Sequence, residues 1–331
     1  MLKRTVVSTK GTRLWQGIPG IERAANGRLW VVFFSGGFQE PHEDNCILIT
    51  TSADDGDSWS DPRVIIERPG ARRAFDPCLW HDPDGRLWLI YNEAHLGEGE
   101  HSLWAITTSD SGSATPTWSA PRRIPVDGPY AFRLNKPTVL EDGRWLLPVT
   151  WARTLPGKWF AKEQVQGVAI SDDRGETWHF RGAVESPAWA LENMFIERRD
   201  GSVWMLIRTG SGVIWQSESR DRGETWSAAS PTAIVNPGSR FFVRRLSSGR
   251  LLLINTPQPK ERTSLYAYLS DDDGRTFGEG LLIDERPKVS YPDAVEGPDG
   301  VIRMVHDCDR YGAGEVLFRS FRESDIPGNG A

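Results

Sequence analysis

One short phrase occurs six times along the chain: a tight turn closed by glycine, followed by a strongly apolar run. It reads Asn26-Gly27-Arg28-Leu29-Trp30, Asp84-Gly85-Arg86-Leu87-Trp88, Asp142-Gly143-Arg144-Trp145-Leu146, Asp200-Gly201-Ser202-Val203-Trp204, Ser248-Gly249-Arg250-Leu251-Leu252 and Asp299-Gly300-Val301-Ile302-Arg303. The six glycines are spaced by 58, 58, 58, 48 and 51 residues. Asx-Gly between two apolar runs is a strong local signal for a β-hairpin, with positive φ expected at both central residues. Six such hairpins at a near-constant period mean six copies of one unit. Within the units, short β-type runs at 30–34, 46–50, 203–207 and 251–254 alternate with turn residues, and helical periodicity is weak throughout. The pattern predicts an all-β fold, a six-bladed β-propeller of four-stranded antiparallel blades around a channel. The run at 4–8 has no partner before it and is expected to close the last blade as its outer strand, which removes the exposed sheet edges. No linker interrupts the pattern, so residues 1–331 read as a single domain.

Composition narrows the function classes. A formal charge of −6 without a basic block argues against a nucleic-acid partner. No apolar stretch is long enough for a membrane span, and the basic start of the chain lacks the apolar core of a secretory signal. A cytoplasmic location and a trimmed exported form both fit, and oligomeric state is left open. Three cysteines, Cys46, Cys78 and Cys308, form neither a disulfide framework nor a zinc pattern. The six histidines show no metal-ligand spacing, so no metal and no cofactor is expected. The 15 tryptophans exceed what bulk packing needs, which gives Trp a repeated architectural or ligand-facing use.

Four units carry a second landmark: Ser52-x-Asp54-x-Gly56-x-x-Trp59, Ser171-x-Asp173-x-Gly175-x-x-Trp178, Ser219-x-Asp221-x-Gly223-x-x-Trp226 and Ser270-x-Asp272-x-Gly274-x-x-Phe277. A degenerate copy runs from Ser109 to Trp118. Ser and Asp side chains bond the backbone of a tight turn, glycine supplies positive φ, and the aromatic packs beneath. These repeats resemble the Asp boxes of sialidase-like β-propellers. Their expected role is to staple the fold.

Counting back about nine residues from each turn glycine finds the start of each innermost strand, at the mouth of the channel: Gly17, Asp76, Lys136, Glu192, Arg240 and Tyr291. Five of the six are charged or phenolic, which suits a convergent polar ligand site, or alternatively a wet channel of paired charges.

The resemblance to the sialidase family then becomes residue-specific. It implies a Tyr nucleophile at Tyr291, an activating Glu at Glu192, and an acid/base Asp at Asp44, eight residues before the first box. It implies substrate-gripping arginines at Arg208 and Arg262. The family's opening Arg-Ile-Pro is here Gly17-Ile18-Pro19, so the first arginine is missing, and the glutamate that the resemblance implies as its brace falls at Asp307. Lys136 or Arg240 is a candidate substitute. Asp76 is a candidate substrate acceptor or alternative acid, and the segment from Asp307 to Arg310 either lines the mouth beside Tyr291 or forms a salt-bridged loop. Trp151, Trp159 and Trp189 lie outside the repeated landmarks and are candidates for stacking on a sugar or for core packing. The implied activity is a glycoside hydrolase acting on a terminal, anionic sugar, with a carbohydrate as the only expected partner. Two alternatives stay open: hydrolysis or elimination on a non-sialic glycan such as a uronate, and a non-catalytic glycan-binding propeller.

Overall fold

The structure is a computed structural model describing residues 2–67, 72–95, 101–125, 130–133, 135–152, 164–186 and 188–327. The chain opens with β1 (Lys3–Thr9), which belongs to the last blade. Blade 1 follows as β2 (Gln16–Arg23), β3 (Leu29–Ser35), β4 (Cys46–Ser52) and β5 (Arg63–Ile66). Blade 2 comprises β6 (Arg72–His81), β7 (Leu87–His95), β8 (His101–Thr108) and β9 (Arg122–Ile124). A short β10 (Tyr130–Phe132) pairs with both neighbours and fuses blade 2 to blade 3, which holds β11 (Thr138–Val139), β12 (Trp145–Ala152), β13 (Val165–Ser171) and β14 (His179–Val184). Blade 4 is β15 (Ala190–Glu197), β16 (Val203–Thr209), β17 (Val213–Ser219) and β18 (Ser230–Val235). Blade 5 is β19 (Phe242–Arg245), β20 (Leu251–Asn255), β21 (Thr263–Ser270) and β22 (Leu281–Pro287). Blade 6 is β23 (Val289–Glu296), β24 (Val301–Cys308) and β25 (Glu315–Arg322), and β1 pairs antiparallel to β25 as its fourth strand. The expected propeller and its closure by the N-terminal run are both observed.

The six turns share one geometry that differs in detail from the expectation. In each, the glycine N–H donates to the carbonyl three residues back, as Gly27 to Ala24 and Gly143 to Leu140, both at 2.9 Å. Only the glycine has positive φ; Asn26, Asp84, Asp142, Asp200, Ser248 and Asp299 do not. This is a type I turn followed by a left-handed glycine, not a two-residue turn with two left-handed positions. The Asx residue serves differently: the Asp142 and Asp200 side chains accept the N–H two residues on, each at 3.0 Å.

Second strands such as β3, β16 and β20 are buried along their whole length, because both faces of a blade pack on neighbouring blades. The apolar cores lie between blades. Trp80 and Trp88 of blade 2 meet Trp145 of blade 3 at ring distances of 4.8 and 6.0 Å, which accounts for part of the tryptophan surplus. The Asp boxes act at the same seams. In the first, Ser52 Oγ donates to Asp54 Oδ1 at 2.7 Å and accepts the Gly56 N–H at 2.9 Å, and Asp54 Oδ1 accepts the Ser58 N–H at 3.0 Å. Each box glycine presses on the preceding blade: Gly56 on Phe318, Gly175 on Trp88, Gly223 on Leu146 and Gly274 on Trp204. The degenerate copy does the same by another route, with Ser111 O accepting from Trp30 Nε1 at 2.7 Å.

Gly274 sits at φ +84, and a Cβ there would overlap the Trp204 ring. Gly274→Ala is therefore expected to lower stability by about 2–3 kcal/mol through combined backbone strain and overpacking. Denaturant unfolding measures this, and a loss below about 0.5 kcal/mol would remove the box glycine from the inter-blade contact.

Candidate active site

Four of the six inner strands begin with the same irregularity. In β2 the pairing steps from Gly17–Phe34 to Gly20–Val32, in β6 from Phe75–Asn92 to Cys78–Ile90, in β15 from Leu191–Arg208 to Met194–Leu206, and in β23 from Ser290–Asp307 to Asp293–Val305. Each step places one extra residue on the inner strand, a β-bulge, and such bulges re-aim side chains next to sites. The first bulged residue is left-handed every time: Ile18 at φ 58, Asp76 at 49, Glu192 at 55 and Tyr291 at 56. Non-glycine residues held there cost about 1–3 kcal/mol each and persist only where the surroundings impose them.

Three of these four side chains carry chemistry. Tyr291 Oη donates to Glu192 Oε1 at 3.1 Å, and Arg208 Nη1 donates to Tyr291 Oη at 2.9 Å and to Glu192 Oε2 at 2.5 Å. Arg208 Nε is anchored on Gly238 O at 2.8 Å. All three side chains are buried. Burial pushes the Tyr291 phenol up, and Glu192 adds to this against the downward pull of Arg208. Burial works against the charge of Arg208, but Glu192 and Tyr291 outweigh it and hold the guanidinium protonated. Asp76 sits well above the usual carboxylate range, first because it is buried and then because Glu40 and Glu192 face it, against Arg73 and Arg310.

Further guanidinium groups gather over the Tyr291 ring, with Cζ at 4.1 Å for Arg310, 5.4 Å for Arg262 and 5.7 Å for Arg208. Arg262 pairs with no carboxylate among the described residues; its Nη2 donates to Gly238 O at 3.4 Å, and burial pushes its guanidinium down. Asp307, fully buried, accepts from Ser290 Oγ at 2.6 Å, from the Ile18 N–H at 2.8 Å and from Arg310 Nε at 2.8 Å. Arg310 Nη1 faces Glu40 at 3.3 Å.

Several expected positions are corrected. The bulged residue of blade 1 is Ile18, nine residues before Gly27, and not Gly17, which lies ten before it; the count runs one residue too far. Lys136 and Arg240 are both buried and face carboxylates of the channel, although the Arg240 Cζ also lies 5.9 Å from the Tyr291 ring. Lys136 Nζ is buried against Glu22 at 2.6 Å and Asp293 at 3.3 Å, and Arg240 Nη2 faces Asp293 at 3.4 Å. Their blades, 3 and 5, show no left-handed bulge at this place among the described residues, so these side chains drop into the channel and pair there. Asp44 stands apart from the Tyr291 cluster in its contacts: its carboxylate is 71% exposed and lies 3.4 Å from His42 Nδ1. Trp189 lies at the edge of the cluster, 5.3 Å from Arg208 Cζ, whereas Trp151 donates to Gly182 O in blade 3, and Trp159 lies outside the described residues. Arg310 and Glu40 are the members that the residue count did not single out. The signal was the Asp307–Arg310 spacing beside a glycine in the place of an arginine.

A groove of about 900 Å³ runs between the outer strands of blades 4 and 5, lined by Trp204, Tyr268 and Phe277, and contains none of the mouth residues. Among the described residues no three His, Cys, Asp or Glu side chains form a metal cluster, and no helix is long and apolar enough to cross a membrane.

Lys136 neutralises two buried carboxylates. Burial alone would raise Glu22, but Lys136 and His81 bring it to about 2. The stability linked to Glu22 is therefore present in full above about 4.5 and lost as pH falls through about 2. Lys136→Met, which strands Glu22 and Asp293, is expected to cost about 3–5 kcal/mol in denaturant unfolding. A loss under about 1 kcal/mol would mean that Lys136 is not a structural cation.

Comparison with known proteins follows the geometry. A family model described as BNR repeat-like domain matches residues 27–304. The anhydrosialidase of Macrobdella decora is 27% identical over 161 residues, 43% of this chain and 21% of that relative's length. The Hadza microbial sialidase Hz136 superposes with a TM-score of 0.79 at 19% identity, covering 96% of this chain and 68% of its own. The intramolecular trans-sialidase from Ruminococcus gnavus superposes with a TM-score of 0.75 at 16% identity, covering 98% of each chain. At these identities the structural matches establish a shared fold.

Proposed function

The chain belongs to the BNR repeat-like domain family, and on that premise we propose that it is a sialidase-type glycosidase, exo-acting on a terminal, anionic sugar. One observation carries the reading: a buried phenol, Tyr291, shares hydrogen bonds with its own carboxylate, Glu192, and with Arg208. A glycan-binding propeller has no use for a tyrosine held in a left-handed bulge against a base, which favours catalysis over binding.

A free phenol titrates near 10 and is a poor nucleophile near neutrality. In the proposed first step Tyr291 Oη attacks the anomeric carbon while its proton passes to Glu192 Oε1. The phenol is neutral before the step, so it meets an anionic anomeric centre without the repulsion a carboxylate would suffer, and sialidases are a known exception to the two-carboxylate rule. Arg208, whose Nη1 already touches Oη, stabilises the charge that develops on the phenolic oxygen. Arg208 and Arg262 also present guanidinium N–H groups toward the carboxylate of the substrate. The leaving oxygen takes a proton from a carboxylic acid. The family resemblance assigns this to Asp44; the burial of Asp76 beside Glu40 and Glu192 favours Asp76 as the group already protonated. In the second step an incoming oxygen breaks the glycosyl–tyrosine bond and gives its proton to the carboxylate left by the acid, while Glu192 returns the first proton to Tyr291.

The incoming oxygen comes from water in hydrolysis. Two of the relatives are named as an anhydrosialidase and an intramolecular trans-sialidase, so attack by a hydroxyl of the sugar itself is the second reading. It releases a product lighter by one water, without the vinyl proton that elimination would leave. Mass and proton spectra of the product separate the three.

Tyr291→Phe is expected to lower kcat on the true substrate by about 10³-fold or more while thermal unfolding stays close to wild type. Unchanged turnover would overturn the nucleophile assignment. A leaving-group series locates the acid. Loss of the proton donor should cost about 10²–10⁴-fold on an alkyl glycoside and little on a nitrophenyl glycoside. Whichever of Asp44→Asn and Asp76→Asn shows that split is the acid; a variant that loses both substrates equally has lost binding.

A further inference from the structure

We infer that Arg310, supplied from the loop after β24, takes the place left by Gly17 and completes a three-guanidinium cradle with Arg208 and Arg262 for the substrate carboxylate. The inference rests on the reading of this mouth as a site for a carboxylated sugar, and adds to it the residue that sets that specificity.

The steric relation is direct. A Cβ built on Gly17 would lie 2.8 Å from Arg310 Cγ, 2.9 Å from Arg310 Cδ and 2.8 Å from Asp307 Oδ2. The first carbon of any side chain at 17 and the stem of Arg310 thus claim the same space. Gly17 is not merely a lost arginine; its lack of a side chain is what lets Arg310 lie across the mouth. The guanidinium that arrives there is the nearest of the three to the Tyr291 ring, at 4.1 Å.

The electrostatic support is equally specific. Asp307 is fully buried and takes the Nε side of Arg310, so it fixes the plane of the guanidinium. Burial works against the Arg310 charge, but Asp307, Tyr291 and Glu40 outweigh it and hold it protonated. Glu40 occupies Nη1 at 3.3 Å from a half-buried position, and Nη2 has no hydrogen-bond partner. Arg262 pairs with no carboxylate among the described residues, and Arg208 spends one Nη on Glu192 and Tyr291. An arriving carboxylate therefore meets donors from three blades: 4, 5 and 6. Of the other cations, Lys136 is committed to Glu22 and Asp293, and Arg240 faces Asp293 through Nη2 and stands farther from the Tyr291 ring than the three of the cradle, at 5.9 Å.

The experiment is calorimetric titration with the 2,3-dehydrated analogue of sialic acid and its methyl ester, and in parallel with glucuronate and its methyl ester. Wild type, Arg310→Gln, Arg310→Lys and Gly17→Arg/Arg310→Gly are compared, each checked by thermal unfolding. Wild type is expected to prefer one acid over its ester by at least about tenfold, as one well-made charged hydrogen-bonding pair allows. Arg310→Gln should erase most of that preference, Arg310→Lys should restore part of it, and the double variant should regain it from blade 1. A wild-type acid preference that survives in Arg310→Gln overturns the role of Arg310 and leaves the carboxylate site standing. No acid preference in wild type for either sugar overturns the carboxylate site, and the inference with it. If Arg310→Gln does not fold, Arg310→Lys decides alone: undiminished acid preference with an equally retained ester affinity counts against bidentate anchoring by Arg310.

Discussion

The site depends on a single backbone device, a left-handed residue at the first step of an inner strand. A regular strand would point alternate side chains into the seams between blades and none along the channel axis. The bulge turns one residue out of that alternation and toward the mouth. Where it occurs in blades 2, 4 and 6, the residue is Asp76, Glu192 or Tyr291; in blade 1 it is Ile18, whose N–H is tied to Asp307. The cost of several strained residues is carried by the ring itself, because each inner strand is clamped by a turn at one end and packed on two blades along its length. That is a reason for the Asp boxes to sit at the seams, away from the chemistry.

Charge in the channel is layered. At the mouth, Arg208, Arg262 and Arg310 meet Glu192, Asp307 and Glu40, and Arg262 pairs with no carboxylate among the described residues. Next to it, Lys136 pairs with Glu22 and Asp293, and Arg240 faces Asp293, all four buried. A buried ion pair adds little net stability over an apolar plug, while breaking it is severe. Its useful consequence here is geometric: it fills the channel beside Tyr291 with side chains that face groups of opposite charge.

The parts of this architecture that could be read from the chain are those written as local, repeated patterns. The six glycine turns announce six blades, and the Ser-x-Asp-x-Gly boxes announce the staples, because hydrogen bonds within a few residues decide both. Even there, counting turns did not give the turn type, since Asn-Gly permits two left-handed residues but does not require them. The mouth was legible only where the bulge is present. Asp76, Glu192 and Tyr291 fell at a constant count from their turns, whereas Arg240 fell at the same count and Lys136 two residues nearer, both without the bulge, and nothing in their own segments says that their side chains turn inward. Arg310 was beyond any count, because its meaning comes from Gly17, at the other end of the chain, and only ring closure brings the two together.

The pairing of Gly17, Asp307 and Arg310 also accounts for the shorter acid. An arginine rooted on blade 1 needs a bracing carboxylate that reaches across the seam from blade 6, and the resemblance to sialidases implies a glutamate there. An arginine rooted at 310 lies three residues from its brace, on the same segment, and meets Asp307 at 2.8 Å. The extra methylene of a glutamate at 307 would push the carboxylate into the space that the Arg310 stem now fills beside Gly17. The Ile18 N–H, which Asp307 also satisfies, would lose its acceptor. Two departures that look like separate losses in the sequence, at 17 and at 307, are thus one change in the structure. Moving the root of the guanidinium from blade 1 to blade 6 removes the side chain at 17, shortens the acid at 307 and places the new stem between them.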